Sequence, residues 1–181
     1  MNVKAILSNI LKNICEKMGF VLCESGKPYL PWPTVFSTVD VAVVDLVANC
    51  ILLGKKRASG NWVIFGGFTE PNSSSNAEDA VRETWEESGI VALAETLQYI
   101  GDFNVRDGRY EHTPHGVRTN LYILPVNMMD VTTGPEAPND PEIETTEWFS
   151  LKEDLSGRTA SKFIQKNHQY LLTAVKNQLG V

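Results

Sequence analysis

Apolar residues recur along the chain in patterns that predict both helices and strands. Between residues 3 and 18 they recur at helical spacing, which predicts an amphipathic helix that ends at Gly19. The apolar positions of this helix are Val3, Ile6, Leu7, Ile10, Leu11, Ile14 and Met18. Because this face needs a cover, we expect it to pack against the rest of the domain or, as the alternative, against a second copy of the chain in a homodimer.

The middle of the chain predicts a series of strands. The valine-rich run 38–46 predicts a largely buried strand, and residues 50–57 predict a second strand that becomes basic at its end. Further strands are predicted at 63–65, 96–105, 118–126 and 144–149. The stretch 127–142 is rich in Pro, Gly and Asp, and loops of this length are often functional.

A capped helix is predicted near the centre of the chain. Ser75 followed by Glu78 is a capping-box pattern, which predicts a helix from Asn76, and Gly89 predicts its end. A last amphipathic helix is predicted at 159–179. The order helix, strands, helix, strands, helix is typical of an α+β or α/β sandwich with a mixed sheet.

Composition places the chain among globular proteins with an ordinary core. Its 181 residues are enough for one domain. Prolines in the stretch 26–34 predict an extended connector, so we divide the chain into an N-terminal segment, residues 1–34, and a main domain, residues 35–181. The formal net charge of −6 argues against a nucleic-acid binder, which would show a basic stripe.

The cysteines and the N-terminal residues indicate the cellular compartment of the protein. Cys15, Cys23 and Cys50 are widely spaced and form no C-x-x-C pair, which favours reduced thiols over a disulfide framework or a zinc site. Charged residues interrupt the apolar positions of the first helix, which argues against a signal peptide or a transmembrane span. We therefore expect a cytoplasmic protein that does not contact a membrane.

Three carboxylates lie close together at the end of the central helix. Glu83, Glu86 and Glu87 fall on one helical face at spacings i, i+3 and i+4. Like charges so placed repel each other by a few tenths of a kcal/mol per pair. A hard cation such as Mg²⁺, which prefers oxygen ligands, would convert this repulsion into a binding site.

Together with the glycine pair before the helix, this cluster resembles the signature of the Nudix hydrolases. That signature is G-x5-E-x7-R-E-U-x-E-E-x-G-U, where U is a bulky apolar residue. Its second half stands here as Arg82-Glu83-Thr84-Trp85-Glu86-Glu87-Ser88-Gly89-Ile90, and Gly67 looks like the opening glycine. The likeness extends over about residues 38–149. It implies a Nudix-type α/β/α sandwich around a mixed sheet, with the N-terminal helix added.

The chain departs from the signature at three places. The spacing from Gly67 to Arg82 is one residue longer than in the family, so the serine-rich loop carries an insertion. The expected glutamate falls on Ser74, which leaves Glu70 or Glu78 as partners for Arg82. In addition, Thr84 replaces the bulky apolar residue.

The resemblance implies metal-dependent hydrolysis of a diphosphate bond, with Mg²⁺ or Mn²⁺ as the cofactor. Glu83 and Glu87 would be the principal metal ligands, with Glu86 and a backbone carbonyl at Gly66 or Gly67 completing the set. Arg82 would orient the carboxylates. A general base would come from these glutamates or from the later acidic residues Glu142, Glu144 and Glu147, and among the later ones Glu147 is our choice because the family often has an acidic residue there.

The substrate is predicted to be a nucleoside diphosphate linked to another moiety. The chain looks most like the ADP-ribose pyrophosphatase domains of this family, so ADP-ribose or a related dinucleotide is the first choice. Arg57, Trp62, Gly66 and Arg118 are the candidate substrate-binding residues. The alternatives are a nucleotide-sugar or (d)NTP pyrophosphatase and a non-catalytic nucleotide-binding sensor of the same fold.

Overall fold

The computed structural model describes residues 12–15, 17–18, 21–22, 28–29, 33–110, 113–155, 164 and 166–181. The chain forms two compact units. The first unit consists of residues 1–36 and 105–117, and the second consists of residues 37–104 and 118–181.

In the first unit a short hairpin pairs strands β1 (Val21–Leu22) and β2 (Pro28–Tyr29) in antiparallel fashion. The Phe36 and Tyr110 rings stack with their centroids 4.7 Å apart. Residues 12–15 are helical, in agreement with the end of the predicted N-terminal helix. The earlier part of that prediction, residues 3–11, lies outside the described residues.

A seven-stranded sheet carries most of the fold. Its strands are β3 (Val35–Asp45), β4 (Cys50–Lys56), β5 (Trp62–Val63), β6 (Phe65–Phe68), β7 (Gln98–Val105), β8 (Gly116–Pro125) and β9 (Ile143–Ser150). Strands β5, β4, β3, β8 and β7 lie side by side in that order, while β6 pairs with β3 and β9 pairs with β4. The predicted strands are thereby confirmed to within a few residues.

Two α-helices cover the two faces of this sheet within the second unit. Helix α1 (Asn76–Ser88) packs through Ala80 onto a cluster that contains Val41 and Leu52. Helix α2 (Gln169–Leu179) packs onto the other cluster, which contains Ile51 and Leu53. Neighbouring residues of β4 thus alternate between the two cores, as the period of a strand requires. This arrangement confirms the predicted α/β/α sandwich.

Several local features add detail to the predicted elements. The glycine pair before the helix, Gly66 and Gly67, lies inside β6 and pairs with Asp40 and Val39 of β3. The run from residue 96 begins with a 3₁₀ turn, Ala94–Thr96, and its strand starts at Gln98. The stretch 127–142 contains a second 3₁₀ turn, Met128–Asp130.

The final helix is described from Gln169 onward, and the part of its prediction at 159–163 lies outside the described residues. Among the helices that the structure describes, no segment combines the length and the apolar character needed to cross a membrane.

Helix α1 begins and ends at the predicted residues. The Ser75 hydroxyl oxygen accepts a hydrogen bond from the Glu78 backbone N–H at 3.2 Å, which satisfies one of the unpaired donors of the first turn. At the other end Gly89 adopts a left-handed conformation with φ 74°, and its N–H donates to the Trp85 carbonyl. These caps set the two ends of α1.

We expect Ser75→Ala to lower the free energy of unfolding by about 1 kcal/mol, because it removes the N-cap acceptor. Urea denaturation followed by circular dichroism measures this loss. Ser74→Ala is the matched control, since the hydroxyl of this neighbouring serine donates to the exposed Glu78 carboxylate rather than capping the helix. Equal losses in the two variants would contradict the capping role.

Candidate active site

The candidate site lies where helix α1 faces strands β4 and β6. Glu83 and Glu87 are one helical turn apart and are both buried, whereas the Glu86 side chain is 35% exposed. The three carboxylates of the predicted face therefore differ in exposure. Two of them are directed to the sheet, and the third lies at the edge of the site. Buried carboxylates are rare unless cations or N–H donors compensate them, and both kinds of partner are present here.

Glu87 is held between a lysine and a backbone amide. Its Oε1 lies 3.0 Å from the Lys56 Nζ, and its Oε2 accepts a hydrogen bond from the Gly66 N–H at 2.8 Å. Burial raises the pKa of Glu87 to about 7, although Lys56 and the Gly66 N–H act in the opposite direction. This carboxylate is thus poised to change protonation near neutral pH.

Glu83 occupies the space that a side chain at Gly67 would fill. A Cβ built on Gly67 would lie 2.4 Å from the Glu83 Oε1 and 2.6 Å from its Cδ. Burial also raises the pKa of Glu83, while the neighbouring Arg82 lowers it. Glycine at 67 is therefore needed to admit the carboxylate, which gives a physical reason for the opening glycine of the motif.

Arg82 connects the carboxylates to the sheet. Its Nη2 lies 2.8 Å from the Glu83 Oε1 and donates to the Phe68 carbonyl at 3.0 Å, and its Nη1 donates to the Glu86 Oε2 at 2.9 Å. The guanidinium therefore holds two of the three carboxylates by a rigid fork. That Arg82 orients the carboxylates for metal binding stays a prediction.

The end of the long loop closes over the C-terminus of α1. The backbone N–H groups of Asn139 and Asp140 donate to the Glu86 carbonyl at 2.8 and 2.7 Å. The Asn139 side-chain amide donates to the Trp85 carbonyl at 2.9 Å. These bonds satisfy carbonyls that the helix end leaves without internal partners. They also bring the loop to the carboxylate cluster.

Lys56 joins this loop to the site. Its Nζ donates to the Glu142 Oε2 at 3.1 Å as well as to Glu87. Burial alone would lower the pKa of Lys56, but the two glutamates outweigh it and the pKa is raised. Arg57 fixes the same segment, because its Nε donates to the Pro141 carbonyl and its N–H donates to the Glu142 carbonyl. A positive charge and a further carboxylate thus lie beside Glu87.

A second polar cluster lies within the sheet. Asp40 is buried, and its Oδ2 accepts a hydrogen bond from the Thr119 hydroxyl at 2.5 Å. Burial raises the pKa of Asp40 to about 8, and the charges of Glu87 and Glu83 add to this effect. The His168 Nδ1 accepts a hydrogen bond at 3.2 Å from the N–H of Ile64, which lies between β5 and β6, and it lies 3.7 Å from the Asp40 Oδ1.

Two of the predicted substrate-binding residues lie away from the carboxylates. Trp62 is 5% exposed and packs edge-on against Phe149 in the core on the α2 side of the sheet. This position corrects the prediction that it binds substrate. Arg118 forms an ion pair with Asp102 across strands β8 and β7, and it makes no described contact with the carboxylates. Arg57 and Gly66, by contrast, do lie at the site.

Glu147 is not brought to the carboxylates either. Glu147 lies opposite Leu53 in the β4–β9 pairing, and Leu53 belongs to the core on the α2 side of the sheet. Phe149, two residues after Glu147 on the same strand, belongs to that core as well. Because side chains alternate along a strand, Glu147 projects from the face opposite to helix α1. The later acidic residue that does stand at the site is Glu142.

Sequence reasoning missed several residues of this site. Lys56 had a signal, since it belongs to the basic end of β4. Asp40 also had one, because it is a carboxylate inside a valine-rich buried run. His168 had no signal, since its role depends on where α2 is placed against the sheet.

The carboxylate site fits a divalent cation in its chemistry. Glu83, Glu86 and Glu87 supply hard oxygen ligands, and Gly67 leaves room for a carboxylate beside the backbone. Burial raises the pKa values of Glu83 and Glu87, and a bound cation would favour their charged forms. Within the described residues no three acidic, His or Cys side chains are already arranged as a metal cluster. In this structure Arg82 and Lys56 neutralise the carboxylates instead.

Comparisons with known proteins agree with this fold. The sequence pattern of the NUDIX domain matches residues 37–168. Comparison with curated protein sequences gave no match. Among solved structures, a MutT/nudix family protein from Enterococcus faecalis has a TM-score of 0.61 at 17% identity, covering 99% of this chain and 75% of the other.

Two further structures share the fold. The NUDIX domain of Shewanella oneidensis NrtR, complexed with ADP ribose, has a TM-score of 0.62 at 16% identity and covers 83% of this chain and 94% of the other. A bifunctional NMN adenylyltransferase/ADP ribose pyrophosphatase from Francisella tularensis, complexed with AMP and an MN ion, has a TM-score of 0.56 at 18% identity. That match covers 96% of this chain and 47% of the other.

We expect Gly67→Ala to weaken binding of Mn²⁺ by about tenfold or more while the protein remains folded, because the new Cβ displaces the Glu83 carboxylate. Isothermal titration with Mn²⁺ measures the affinity. Gly108→Ala is the matched control, since a Cβ there meets nothing within 4 Å. An unchanged affinity in folded Gly67→Ala would show that Glu83 does not hold the metal from this position.

Burial lowers the pKa of His168 to about 4, below its ordinary value of 6.5. The unfolded chain therefore binds more protons between pH 6.5 and 4, and the stability that neutral His168 contributes is lost as the pH falls through this window. The shift corresponds to about 3 kcal/mol.

We expect His168→Asn, which keeps an acceptor for the Ile64 N–H, to lack this loss. Asp40 has the opposite slope, since its raised pKa favours the folded state on acidification, so the variant is compared with the parent protein at each pH. Urea denaturation between pH 4 and 7 provides the measurement. Parallel pH profiles for the two proteins would contradict the burial of a neutral His168.

Proposed function

The chain belongs to the Nudix family of pyrophosphohydrolases, and we propose that it hydrolyses the diphosphate bond of a nucleoside diphosphate linked to another moiety, with ADP-ribose as the first substrate. The observation that carries this proposal is the burial of Glu83 and Glu87 on one turn of α1, with Gly67 leaving room for a carboxylate. A purely structural helix gains nothing from two buried like charges.

We assign the binding of a divalent cation, Mg²⁺ or Mn²⁺, to Glu83 and Glu87, with Glu86 at the margin and a backbone carbonyl at Gly66 or Gly67 as a supplement. When bound, such a cation shields the negative charge of a diphosphate and makes a bound water more acidic. Arg82 keeps Glu83 and Glu86 in place from the side, so its role is orientation.

Lys56 has a second part in the proposal. The Lys56 Nζ lies beside the buried carboxylates, 3.0 Å from the Glu87 Oε1, and the Lys56 side chain is only partly exposed. A phosphate oxygen of the substrate is a suitable acceptor for the same ammonium. We therefore assign Lys56 to the binding of a substrate phosphate, while Arg57 holds the neighbouring loop segment.

We assign the general base to Glu142 rather than to Glu147. The Glu142 carboxylate is 71% exposed and reaches the Lys56 Nζ at 3.1 Å, so it stands beside the carboxylates and can meet a water from solvent. Glu144 is less suitable because its carboxylate pairs with Lys55 at 3.0 Å. General bases of this kind contribute about 10²- to 10⁴-fold to a rate.

ADP-ribose is supported by the similar structures whose names include it. The NrtR domain is complexed with ADP ribose, and the Francisella protein is a bifunctional enzyme with an ADP ribose pyrophosphatase activity in its name. A cytoplasmic location and a homodimer remain predictions from the sequence.

We expect Glu87→Gln to lose most of its activity toward ADP-ribose, whose hydrolysis gives AMP and ribose phosphate. Loss of a metal ligand removes several kcal/mol of transition-state stabilisation, which is roughly a hundredfold or more in rate at about 1.4 kcal/mol per tenfold. Glu147→Gln is the matched control and should retain activity, because it lies on the other face of the sheet. Chromatographic product analysis with Mg²⁺ provides the measurement.

The same assay includes NADH, GDP-mannose, diadenosine polyphosphates and dNTPs. Turnover of one of these in place of ADP-ribose would revise the substrate and keep the enzyme class. Tight binding of ADP-ribose without turnover of any compound would favour the nucleotide-binding sensor instead.

A further inference from the structure

The loop before helix α1 lacks the glutamate that the Nudix signature places there, since Ser74 stands at that position. The candidates to replace it as the partner of Arg82 were Glu70 and Glu78. The Glu70 Oε1 forms an ion pair with the Arg82 Nε at 3.8 Å, which is too long for a hydrogen bond, and the Glu70 side chain is 62% exposed. The Glu78 carboxylate instead accepts a hydrogen bond from the Ser74 hydroxyl. Neither candidate thus forms a hydrogen bond with Arg82.

Asp79 occupies the place between loop and arginine. Its side chain is 1% exposed. The Oδ1 accepts a hydrogen bond from the Glu70 backbone N–H at 3.1 Å, and the Oδ2 accepts one from the Ser73 hydroxyl at 2.6 Å. The Arg82 Nη2 lies 3.4 Å from the Oδ1. One buried carboxylate therefore holds two points of the loop and the guanidinium together.

We propose that Asp79 is a positioning residue which takes over the work of the missing glutamate. It fixes the serine-rich loop, residues 69–75, to Arg82, and Arg82 in turn holds Glu83 at 2.8 Å and Glu86 at 2.9 Å. The loop accommodates the one-residue insertion because Asp79, one turn before Arg82, accepts hydrogen bonds from Glu70 and Ser73 of the loop. Asp79 itself does not contact the substrate.

The position of Asp79 suits this role. It lies in the first turn of α1, where unpaired N–H groups and the helix dipole favour a negative charge. Loss of its charge would leave the Arg82 guanidinium with fewer acceptors in a partly buried site, where the Nε already has no hydrogen-bond partner among the described residues. The guanidinium would then shift, and the two carboxylates that it holds would shift with it.

The consequence for metal binding rests on the proposed function, so the test separates the two. The variants are Asp79→Asn, which keeps the shape but removes the charge, and Glu78→Gln, its matched control on the neighbouring carboxylate. Each is made in the full chain, alone and together with Arg82→Gln. Urea denaturation of the metal-free proteins gives the coupling of each carboxylate with Arg82 by a double-mutant cycle. Titration with Mn²⁺ gives the metal affinity.

We expect the coupling free energy between Asp79 and Arg82 to exceed that between Glu78 and Arg82. We also expect the Mn²⁺ dissociation constant to rise about tenfold or more in Asp79→Asn, as for other residues that orient metal ligands, and to stay nearly unchanged in Glu78→Gln. Equal effects of the two variants on Mn²⁺ affinity would overturn the inference.

If the parent protein binds no Mn²⁺, the proposed function is contradicted but the inference about Asp79 is not. The double-mutant cycle in the metal-free proteins then tests that inference. In that case a coupling between Asp79 and Arg82 no larger than that between Glu78 and Arg82 overturns it. A larger coupling supports Asp79 as the link between the loop and the arginine.

Discussion

The burial of two glutamate carboxylates against the sheet is the constraint on which the site depends. Glu83 and Glu87 lie on the inner side of α1, where desolvation disfavours their charged forms. Each is compensated by specific partners, Arg82 for Glu83 and Lys56 with the Gly66 N–H for Glu87. Removal of one partner would leave a buried charge uncompensated, which is far more costly than the loss of a surface ion pair.

This constraint explains why the elements around the site have the sequences they do. Strand β6 contains glycine at 67 because the Glu83 carboxylate takes up the space of a side chain. Helix α1 ends at Gly89, and this residue must be glycine because a Cβ would lie 2.3 Å from the Ala137 carbonyl oxygen of the long loop. That loop in turn satisfies the last carbonyls of α1 and brings Glu142 to Lys56. The carboxylate side chains, the end of the helix and the loop are thus fixed by shared contacts.

The serine-rich loop shows how a departure from a motif can be absorbed. The lost glutamate at 74 and the extra residue weaken the usual link between loop and arginine, while Asp79 supplies three contacts from within the helix. Its burial would be unfavourable in isolation, and the donors around it offset that cost. The same reasoning applies to Asp40, which is buried beside Thr119 and His168.

The sequence by itself determined the elements and the chemistry of the cluster. Periodicity predicted the strands, Ser75 and Gly89 predicted the ends of α1, and the spacing of Glu83, Glu86 and Glu87 predicted a carboxylate face. All of these depend on contacts within a few residues along the chain, which local sequence encodes.

Only the tertiary structure decided which distant side chains reach that face. It placed Lys56 and Glu142 beside the carboxylates and Trp62 in the core, and it directed Glu147 to the opposite side of the sheet. The register of β4 with β9 and the packing of α1 on the sheet set these positions. A shift of one residue in such a register reverses every side chain, and no pattern within a single strand reveals it.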